Sequence, residues 1–283
     1  MASQLWDDLV LRAPMEAIGA LDFDDDTSVW EVYHDNSKTS RYEPGLSPLQ
    51  VAQRMQGMCA SLSYDQCPEV ELPGAREPLA GSLQEALLTR VSARSLAPLR
   101  ISLAKAATIL HSAYGVTRTN EGTLFPRPFR TVPSAGALYP LEIYFYSSNI
   151  DELPGGLYHY NPSRNSVHQL QERNLTAEIA TALVSPELAY DASIIIFITA
   201  VFERVTFKYG ERGYRFALLE AGHLAQNINL AVNGLGLGSL NIGGFFDREL
   251  DELLGLDGLT QSTIYLAAIG QQLNDEENLD RQR

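Results

Sequence analysis

The stretch Arg130–Pro140 contains residues that could lie against a flat ligand. A run of four small residues, 134–137, stands between Pro133 and Pro140. Small side chains allow a ligand to approach the main chain, and each proline fixes its own φ angle. The stretch could therefore present backbone amides to a planar group. A tight loop at a helix–strand junction fits the same composition.

Arg90, Ser92 and Arg94 are spaced as a candidate anion site. A capping box at 82–85 predicts a short helix, and both arginines lie on one face if that helix continues to residue 94. Forked cationic donors together with a hydroxyl suit a phosphate group. Two arginines on the solvated face of a surface helix are the alternative interpretation.

Composition limits the classes of function. The chain has 283 residues, 45% of them hydrophobic, and a formal net charge of −14. This length fits one large or two small domains, and an acidic balance without a basic stripe argues against a nucleic-acid partner. Cys59 and Cys67 have no metal-site spacing, and two unpatterned cysteines favour a reducing compartment.

The sequence predicts no membrane partner. Residues 1–8 lack a basic segment followed by an apolar one, so they do not resemble a secretory signal. The longest apolar run, 193–202, is about half of the roughly 20 residues that a helix needs to span a bilayer. We therefore expect a soluble, cytoplasmic protein.

Hydrophobic periodicity and capping residues predict the elements that must position these residues. Helices are expected at Pro48–Leu62, from Ser102 to Tyr114, at Thr176–Val184 and at Phe216–Asn233. Strands are expected at 141–147, 156–160, 167–170, 192–201 and 263–269. Prolines and glycines in 63–80 indicate a linker, and 271–283 is expected to be a polar tail.

Five motifs are specific when they are taken together: Arg130–Pro140, Gly156–Tyr160, Lys208–Arg215, Leu219–His223 and Gly243–Phe245. Over roughly residues 80–270 they resemble the SagB-type FMN-dependent dehydrogenases of the nitroreductase superfamily. That family includes the azoline oxidases of thiazole- and oxazole-modified peptide biosynthesis. The segment Tyr33–Lys38 also looks like the part of the family upstream of this domain.

The resemblance implies an α+β flavoprotein with a mixed, mostly antiparallel sheet surrounded by helices. It implies an intertwined homodimer with FMN at the subunit interface, in which the helix Phe216–Asn233, with its small residues, lies in the dimer core. The implied division is a family-specific extension, residues 1–80, followed by an FMN-binding domain, residues 81–283, that ends in the polar tail.

The resemblance also implies which residues bind FMN. The phosphate-and-ribityl site is matched by Arg90, Ser92 and Arg94. The turn along the isoalloxazine ring is matched by Pro133, Ser134, Ala135 and Gly136. Gly243 and Gly244 match the glycines whose amides approach flavin N5 and O4, where donors stabilise the negative charge of the reduced ring.

The chain departs from plain nitroreductases at two positions in the turn and at one phosphate ligand. Many nitroreductases have Asn at the place of Ala137 and Gln at the place of Tyr139. The usual late basic phosphate ligand has no clear match, and Arg281 and Arg283 are the candidates.

The implied reaction is the dehydrogenation of a peptide thiazoline or oxazoline to the azole. Lys208 and Tyr209 match the Lys–Tyr pair that removes the proton in the family. A lysine with an ordinary pKa of ~10.4 must lose roughly 3 pKa units, about 4 kcal/mol, to act as a neutral base near pH 7. Burial or Arg212 could supply part of that shift, and one of the pair could instead donate a hydrogen bond. A surface charge in a loop is the alternative interpretation of Lys208.

Two other functions stay open. The first is an NAD(P)H-dependent reductase of small nitro compounds or quinones. The second is a flavin-free scaffold in a peptide-modifying complex, with residues 1–80 as the docking segment and the acidic surface facing a basic partner. For the azoline chemistry, a cyclodehydratase is the expected partner and oxygen the expected electron acceptor.

Overall fold

The computed structural model describes residues 28–41, 45–119, 121 and 127–273. The chain divides into two compact units, Met1–Arg41 and Tyr42–Arg283. The described part of the first unit contains helix α1 (Val29–Asn36), which begins with a capping box between Ser28 and Glu31. The elements that follow belong to the second unit.

An antiparallel sheet forms the centre of the second unit. The strands are β1 (Glu69–Glu71), β2 (Leu96–Ala97), β3 (Val116–Thr119), β4 (Pro128–Arg130), β5 (Leu141–Ser147), β6 (Gly156–Asn161), β7 (Ser166–Gln171), β8 (Ile194–Val201), β9 (Gly238–Ile242) and β10 (Gln261–Gln272). The order across the sheet is β1-β7-β6-β5-β8-β10-β2, with β9 also paired to β10, while β3 and β4 form a separate pair. Each of these pairings is antiparallel, and the strands predicted at 156–160 and 167–170 pair with each other as β6 and β7.

Helices surround this sheet. They are α2 (Pro48–Gln56), α3 (Leu83–Thr89), α4 (Leu103–Tyr114), α5 (Thr176–Thr181), α6 (Glu187–Asp191), α7 (Glu203–Tyr209), α8 (Arg212–Gly234) and α9 (Asp247–Leu254). The predicted start of α4 is confirmed, because the Ser102 hydroxyl accepts a hydrogen bond from the Lys105 amide at 3.2 Å. Helix α2 ends at Gln56 and is shorter than predicted, with Gly57 as its C-cap.

Helices cover both faces of the sheet, because the central strands direct large apolar side chains to the two faces in alternation. Ile143 and Phe145 of β5 belong to a core shared with α4 and α8. Tyr144 and Tyr146, on the other face, belong to a core shared with α5, α6 and α9. The predicted strand at 192–201 is β8, which is buried from Ile194 to Ala200. The expected α+β architecture is confirmed.

Helix α8 is the longest helix in the described part of the chain. It has 23 residues and begins at Arg212, four residues before the predicted start, so it is about 34 Å long. Its buried side contacts the sheet, whereas Leu218, Leu219 and Gly222 are exposed. No helix within 28–41, 45–119 or 127–273 combines the length and the apolar character needed to cross a membrane.

The segment predicted as a linker is part of the sheet. Strand β1 pairs with β7 through Glu69, Val70 and Glu71, and the compact unit begins at Tyr42. The division into an extension, residues 1–80, and an FMN-binding domain, residues 81–283, stays a prediction. Prolines and glycines indicate local turns, but they carry no information on a strand pairing almost a hundred residues away along the chain.

Candidate active site

The stretch before β5 forms a tight and strained turn. Ala135–Ala137 makes one turn of 3-10 helix, and Gly136, Ala137 and Tyr139 have φ angles of 64°, 53° and 48°. Glycine adopts this left-handed region freely, whereas alanine and tyrosine each lose about 1 kcal/mol there. The Tyr139 amide donates to the Ser134 hydroxyl at 2.9 Å, which closes the turn. Such strain persists only where surrounding contacts impose it, and it is concentrated at functional sites.

Helix α7 places Lys208 and Tyr209 against this turn. A Cβ atom on Gly136 would lie 2.8 Å from the Lys208 Nζ and 2.8 Å from the Tyr209 hydroxyl oxygen. Lys208 lies in the last turn of a helix, which corrects the alternative interpretation of a residue in a loop. Two of the predicted groups, the turn and the Lys–Tyr pair, therefore form one surface.

Helix α8 supports both halves of that surface. The Phe216 ring packs edge-on against Tyr209, with the ring centres 5.0 Å apart and the planes at 85°. One helical turn later, the Glu220 carboxylate accepts a hydrogen bond from the Tyr114 hydroxyl at 2.6 Å, and the nearby Ser134 hydroxyl favours its ionised form by lowering the pKa of Glu220. The same helix thus holds the tyrosine and the small-residue turn.

Glu220 is a buried acid that titrates near neutrality. Its side chain is 2% exposed. Burial raises the pKa of Glu220 to about 7, although the hydrogen bonds of Ser134 and Tyr114 and the charge of Arg130 oppose the rise. The protonation state of a group that holds the turn therefore changes within the physiological pH range.

Arg130 is a structural member of the site. Its guanidinium carbon lies 4.2 Å from the centre of the Tyr114 ring and 4.8 Å from that of Tyr139, which is cation–π geometry. Its backbone amide donates to the Tyr139 hydroxyl at 3.0 Å. Because the residue is 4% exposed, its role is to fix the two aromatic rings beneath the turn.

Glu142, at the start of β5, is the centre of a buried polar cluster. Its carboxylate oxygens contact Arg204 Nη1 at 2.6 Å, His159 Nε2 at 2.7 Å, the Leu62 amide at 2.9 Å and the Ser61 hydroxyl at 3.1 Å. Burial alone would raise the pKa of Glu142. The hydrogen bond with His159 and the charge of Arg204 instead lower it to about 2, so the carboxylate is ionised at neutral pH.

A second group of predicted residues lies along β9. Gly243 and Gly244 follow the end of the strand, and the Gly244 carbonyl accepts the Val184 amide at 3.0 Å. A Cβ atom on Gly243 would meet nothing within 4 Å, so this backbone is open to a ligand.

The candidate phosphate residues lie near the other end of β9. The Ala93 amide donates to the Ser239 carbonyl at 2.9 Å, and the flanking Ser92 and Arg94 are exposed. An extended chain spans about 13 Å between Ser239 and Gly243. The predicted common helical face of the two arginines is wrong, because α3 ends at Thr89 and Arg90 is extended, with ψ 125°.

The two groups lie apart within a single chain. The small-residue turn and the Lys–Tyr pair lie near the start of β5, whereas Gly243 and Gly244 follow β9. Strands β8 and β10 separate β5 from β9, and three strand spacings amount to roughly 14 Å. Arg281 and Arg283 lie outside the described residues.

A cavity lies beside α7. Its volume is about 390 Å³, and it separates α7 from α2. Its lining residues include Arg54 and Met58 from the α2 segment and Glu203, Arg204 and Phe207 from α7. Space for part of a substrate therefore exists beside the helix that carries Lys208.

Arg204, Glu142 and Glu220 were not predicted as site residues. Each had a weak signal in the sequence. Glu142 and Glu220 are acids among apolar neighbours, and Arg204 precedes Lys208 by one helical turn. The spacing of Arg204 and Lys208 indicates a common helical face only when α7 is known to be a helix.

Comparison with known proteins places the chain among nitroreductases. The model of the nitroreductase family matches residues 87–271. The Methanocaldococcus jannaschii protein MJ1384, named as a nitroreductase, is 38% identical over 186 residues, which cover 66% of this chain and 89% of that protein. The Escherichia coli microcin B17-processing protein McbC is 32% identical over 161 residues, which cover 53% of this chain and 57% of McbC.

Solved structures share the fold. A crystal structure of an Anabaena variabilis protein named as a nitroreductase gives a TM-score of 0.66 at 24% identity, covering 86% of this chain and 47% of that one. A chain of the E. coli microcin synthetase McbBCD complex with truncated pro-MccB17 bound gives 0.57 at 21% identity, covering 87% of this chain and 92% of that one.

Proposed function

We propose, because the chain belongs to the nitroreductase family, that it is an FMN-dependent dehydrogenase of the SagB type that oxidises a peptide azoline to the azole. The observation that carries the proposal is the approach of Lys208 and Tyr209 to the Gly136 turn. The 32% identity to McbC, a protein named for processing microcin B17, supports a peptide substrate.

The residues present fit FMN. Gly243 has open space at its Cβ position, Gly136 is exposed beside the heads of Lys208 and Tyr209, and Ser92 and Arg94 are exposed near the far end of β9. Arg90, Ser92 and Arg94 would hold the phosphate, the turn from Pro133 to Gly136 would line the ring, and Gly243 and Gly244 would direct amides towards it. When bound, FMN would accept the hydride equivalent that leaves the substrate.

Lys208 and Tyr209 would remove the Cα proton of the substrate. Conversion of an azoline to an azole removes a proton from Cα and a hydride from Cβ. Because both polar heads lie at the same glycine, one can accept the Cα proton while the other donates a hydrogen bond that makes the proton more acidic. Because the glycine has no Cβ atom, both polar heads can lie against the turn that would line the ring.

A homodimer would complete the site. In one chain the turn and the glycine pair are separated by three strand spacings, so a single planar ligand does not reach both. A twofold arrangement would bring the turn and the Lys–Tyr pair of one protomer to Gly243 and Gly244 of the partner subunit. The exposed Leu218 and Leu219 of α8, at 42% and 59%, supply apolar area for such contact.

The decisive experiment combines flavin binding with turnover. The purified protein should carry FMN in its absorption spectrum, and a thiazoline-containing peptide should lose two hydrogens in mass while the flavin is bleached without oxygen. Lys208→Ala and Tyr209→Phe should retain FMN and lose turnover. A protein that binds no added FMN overturns the proposal, and a Lys208→Ala variant with full turnover overturns the proton role alone.

An NAD(P)H-dependent reductase is the second candidate, since MJ1384 is named as a nitroreductase and matches over 89% of its length. Rapid NADPH consumption with small quinones, without azoline turnover, would select it. A dimer that stays colourless would instead indicate a scaffold in a peptide-modifying complex. The similarity to a chain of the McbBCD complex makes a cyclodehydratase the first partner to test in pull-down experiments.

A further inference from the structure

We propose that the buried ion pair between Glu142 and Arg204 positions Lys208 against the small-residue turn. The inference rests on the proposed function for the role of Lys208. Its geometry depends on α7, the short helix that carries Arg204 and Lys208 four residues apart. Residues at this spacing lie on the same side of a helix, so a group that holds Arg204 also sets where Lys208 lies.

Arg204 connects three parts of the site. Its Nη1 atom lies 2.6 Å from Glu142 Oε1 and 3.5 Å from the Tyr139 carbonyl oxygen. Tyr139 ends the turn that contains Gly136, and Glu142 lies near the start of β5. One buried guanidinium, 5% exposed, thus fixes α7 to the turn and to the sheet together.

Glu142 is held rigidly on its other sides. His159 contacts the second carboxylate oxygen, as does the Ser61 hydroxyl, while the Leu62 amide donates to the oxygen that binds Arg204. A carboxylate with this many partners has one orientation. Arg204 is therefore bound to a fixed point and not to a mobile surface acid.

Helix α7 needs such an anchor. It has seven residues and ends at Gly210, whose φ is 55°, and helices of that length are unstable without tertiary contacts. A buried ion pair adds little net stability, because desolvation offsets the attraction. The contacts of Arg204 Nη1 with the Glu142 carboxylate and the Tyr139 carbonyl do fix the direction of the guanidinium, and such placement is what the approach of Lys208 to Gly136 requires.

Amine labelling tests the placement without reference to activity. The chain contains three lysines, Lys38, Lys105 and Lys208, so Lys105 serves as an internal reference. The purified full-length protein is treated with trace N-acetoxysuccinimide, and the ratio of Lys208 to Lys105 acetylation is measured by peptide mass spectrometry. A freed Lys208 should react about threefold faster or more, because opening of α7 exposes it.

Three variants separate positioning from folding. Arg204→Lys keeps the charge but replaces the planar guanidinium with a shorter, point-like ammonium group. The double variant Glu142→Gln with Arg204→Met removes both charges, which avoids leaving a buried ion unpaired. Asp251→Asn is the matched control, because Asp251 is also a buried carboxylate, 3% exposed, but it binds Ser262 and Thr263 of β10. The labelling ratio should rise in the first two variants and stay at the wild-type value in the control.

Turnover provides a second measurement, because a loss of stability alone would not lower kcat at unchanged KM. With FMN bound, the Arg204 variants should lower kcat for the thiazoline peptide about tenfold or more at unchanged KM, whereas Asp251→Asn should leave kcat unchanged. An unaltered labelling ratio in both Arg204 variants, with native circular dichroism, overturns the proposal. A raised ratio in a protein that shows no azoline turnover would refute the proposed function and leave the positioning role intact.

Discussion

Gly136 and Lys208 approach so closely that a Cβ atom on the glycine would lie 2.8 Å from the lysine Nζ. The same atom would be equally close to the Tyr209 hydroxyl, so a single missing methyl group leaves room for two polar heads. The contact joins a strained turn to the end of a short helix. It makes position 136 the most direct test of whether this surface is the active site.

Gly136→Ala should impair activity much more than it impairs folding. The substitution places alanine at a φ of 64° and pushes back the flexible ends of Lys208 and Tyr209, so we expect about 1 kcal/mol of destabilisation and about a tenfold or larger loss of turnover. Gly255→Ala is the control, since Gly255 has a φ of 72° and nothing within 4 Å of its Cβ position. Equal turnover in the two variants, measured beside urea unfolding, would contradict an active-site role for the turn.

Glu220 should make the protein less stable as the pH rises towards neutrality. Its folded-state pKa of about 7 is above the ordinary value of 4.5, so its stabilising contribution is complete below pH 4.5 and is lost as the pH rises through 7. The free energy of unfolding should fall by up to about 3 kcal/mol across this window. Urea titrations at several pH values should show that slope in the wild type and a flatter one in Glu220→Gln. Parallel slopes in the two proteins would show that Glu220 does not titrate as inferred.

Glu142 should make the protein less stable as the pH falls into the acid range. Its pKa of about 2 is below the ordinary value of 4.5, so its contribution is complete above pH 4.5 and disappears as the pH falls towards 2. The wild type should lose up to about 3 kcal/mol of unfolding free energy over that range. The double variant Glu142→Gln with Arg204→Met lacks this titrating carboxylate and should lose less. Identical acid transitions would mean that the ion pair does not control acid stability.

Substitutions at Gly222 should distinguish a monomer from a dimer whose interface is formed by α8. The residue is exposed in one chain, and a Cβ atom there would meet nothing within 4 Å. In a monomer Gly222→Ala should therefore raise stability by roughly 0.5–1 kcal/mol. In a dimer that packs through this face, Gly222→Leu should shift the molecular mass measured by light scattering from two chains to one. Glu252→Leu on α9, which covers the other face of the sheet, is the control and should leave the mass unchanged.

The parts of the fold that depend on local pattern could be predicted from the sequence. The alternation in β5, the apolar run of β8 and the cap at Ser102 are properties of neighbouring residues, and the structure confirms all three. Helix α3 stops before Arg94 because Arg90 is already extended, and nothing in the helical propensity of those residues marks that point.

The contacts that assemble the site are between distant residues and could not be predicted in this way. The motifs indicated the turn and the Lys–Tyr pair separately, and only the family resemblance joined them. The ion pair of Glu142 with Arg204 and the support from Glu220 depend on how α7 and α8 pack against the sheet. Periodicity describes which side of an element is apolar, but it does not state which element lies opposite.

Strand β1 has a practical consequence for anyone who shortens the chain. The match to the family begins at residue 87, so residue 81 looks like a natural place to cut. A fragment that begins there would lack β1 and would leave β7 as an unprotected edge with unsatisfied amides, which invites aggregation. It would also deprive Glu142 of the Ser61 and Leu62 donors. If such a fragment were insoluble, the cause would be the loss of β1 from the sheet. A fragment that starts near residue 45 keeps this strand and is the better choice for expression.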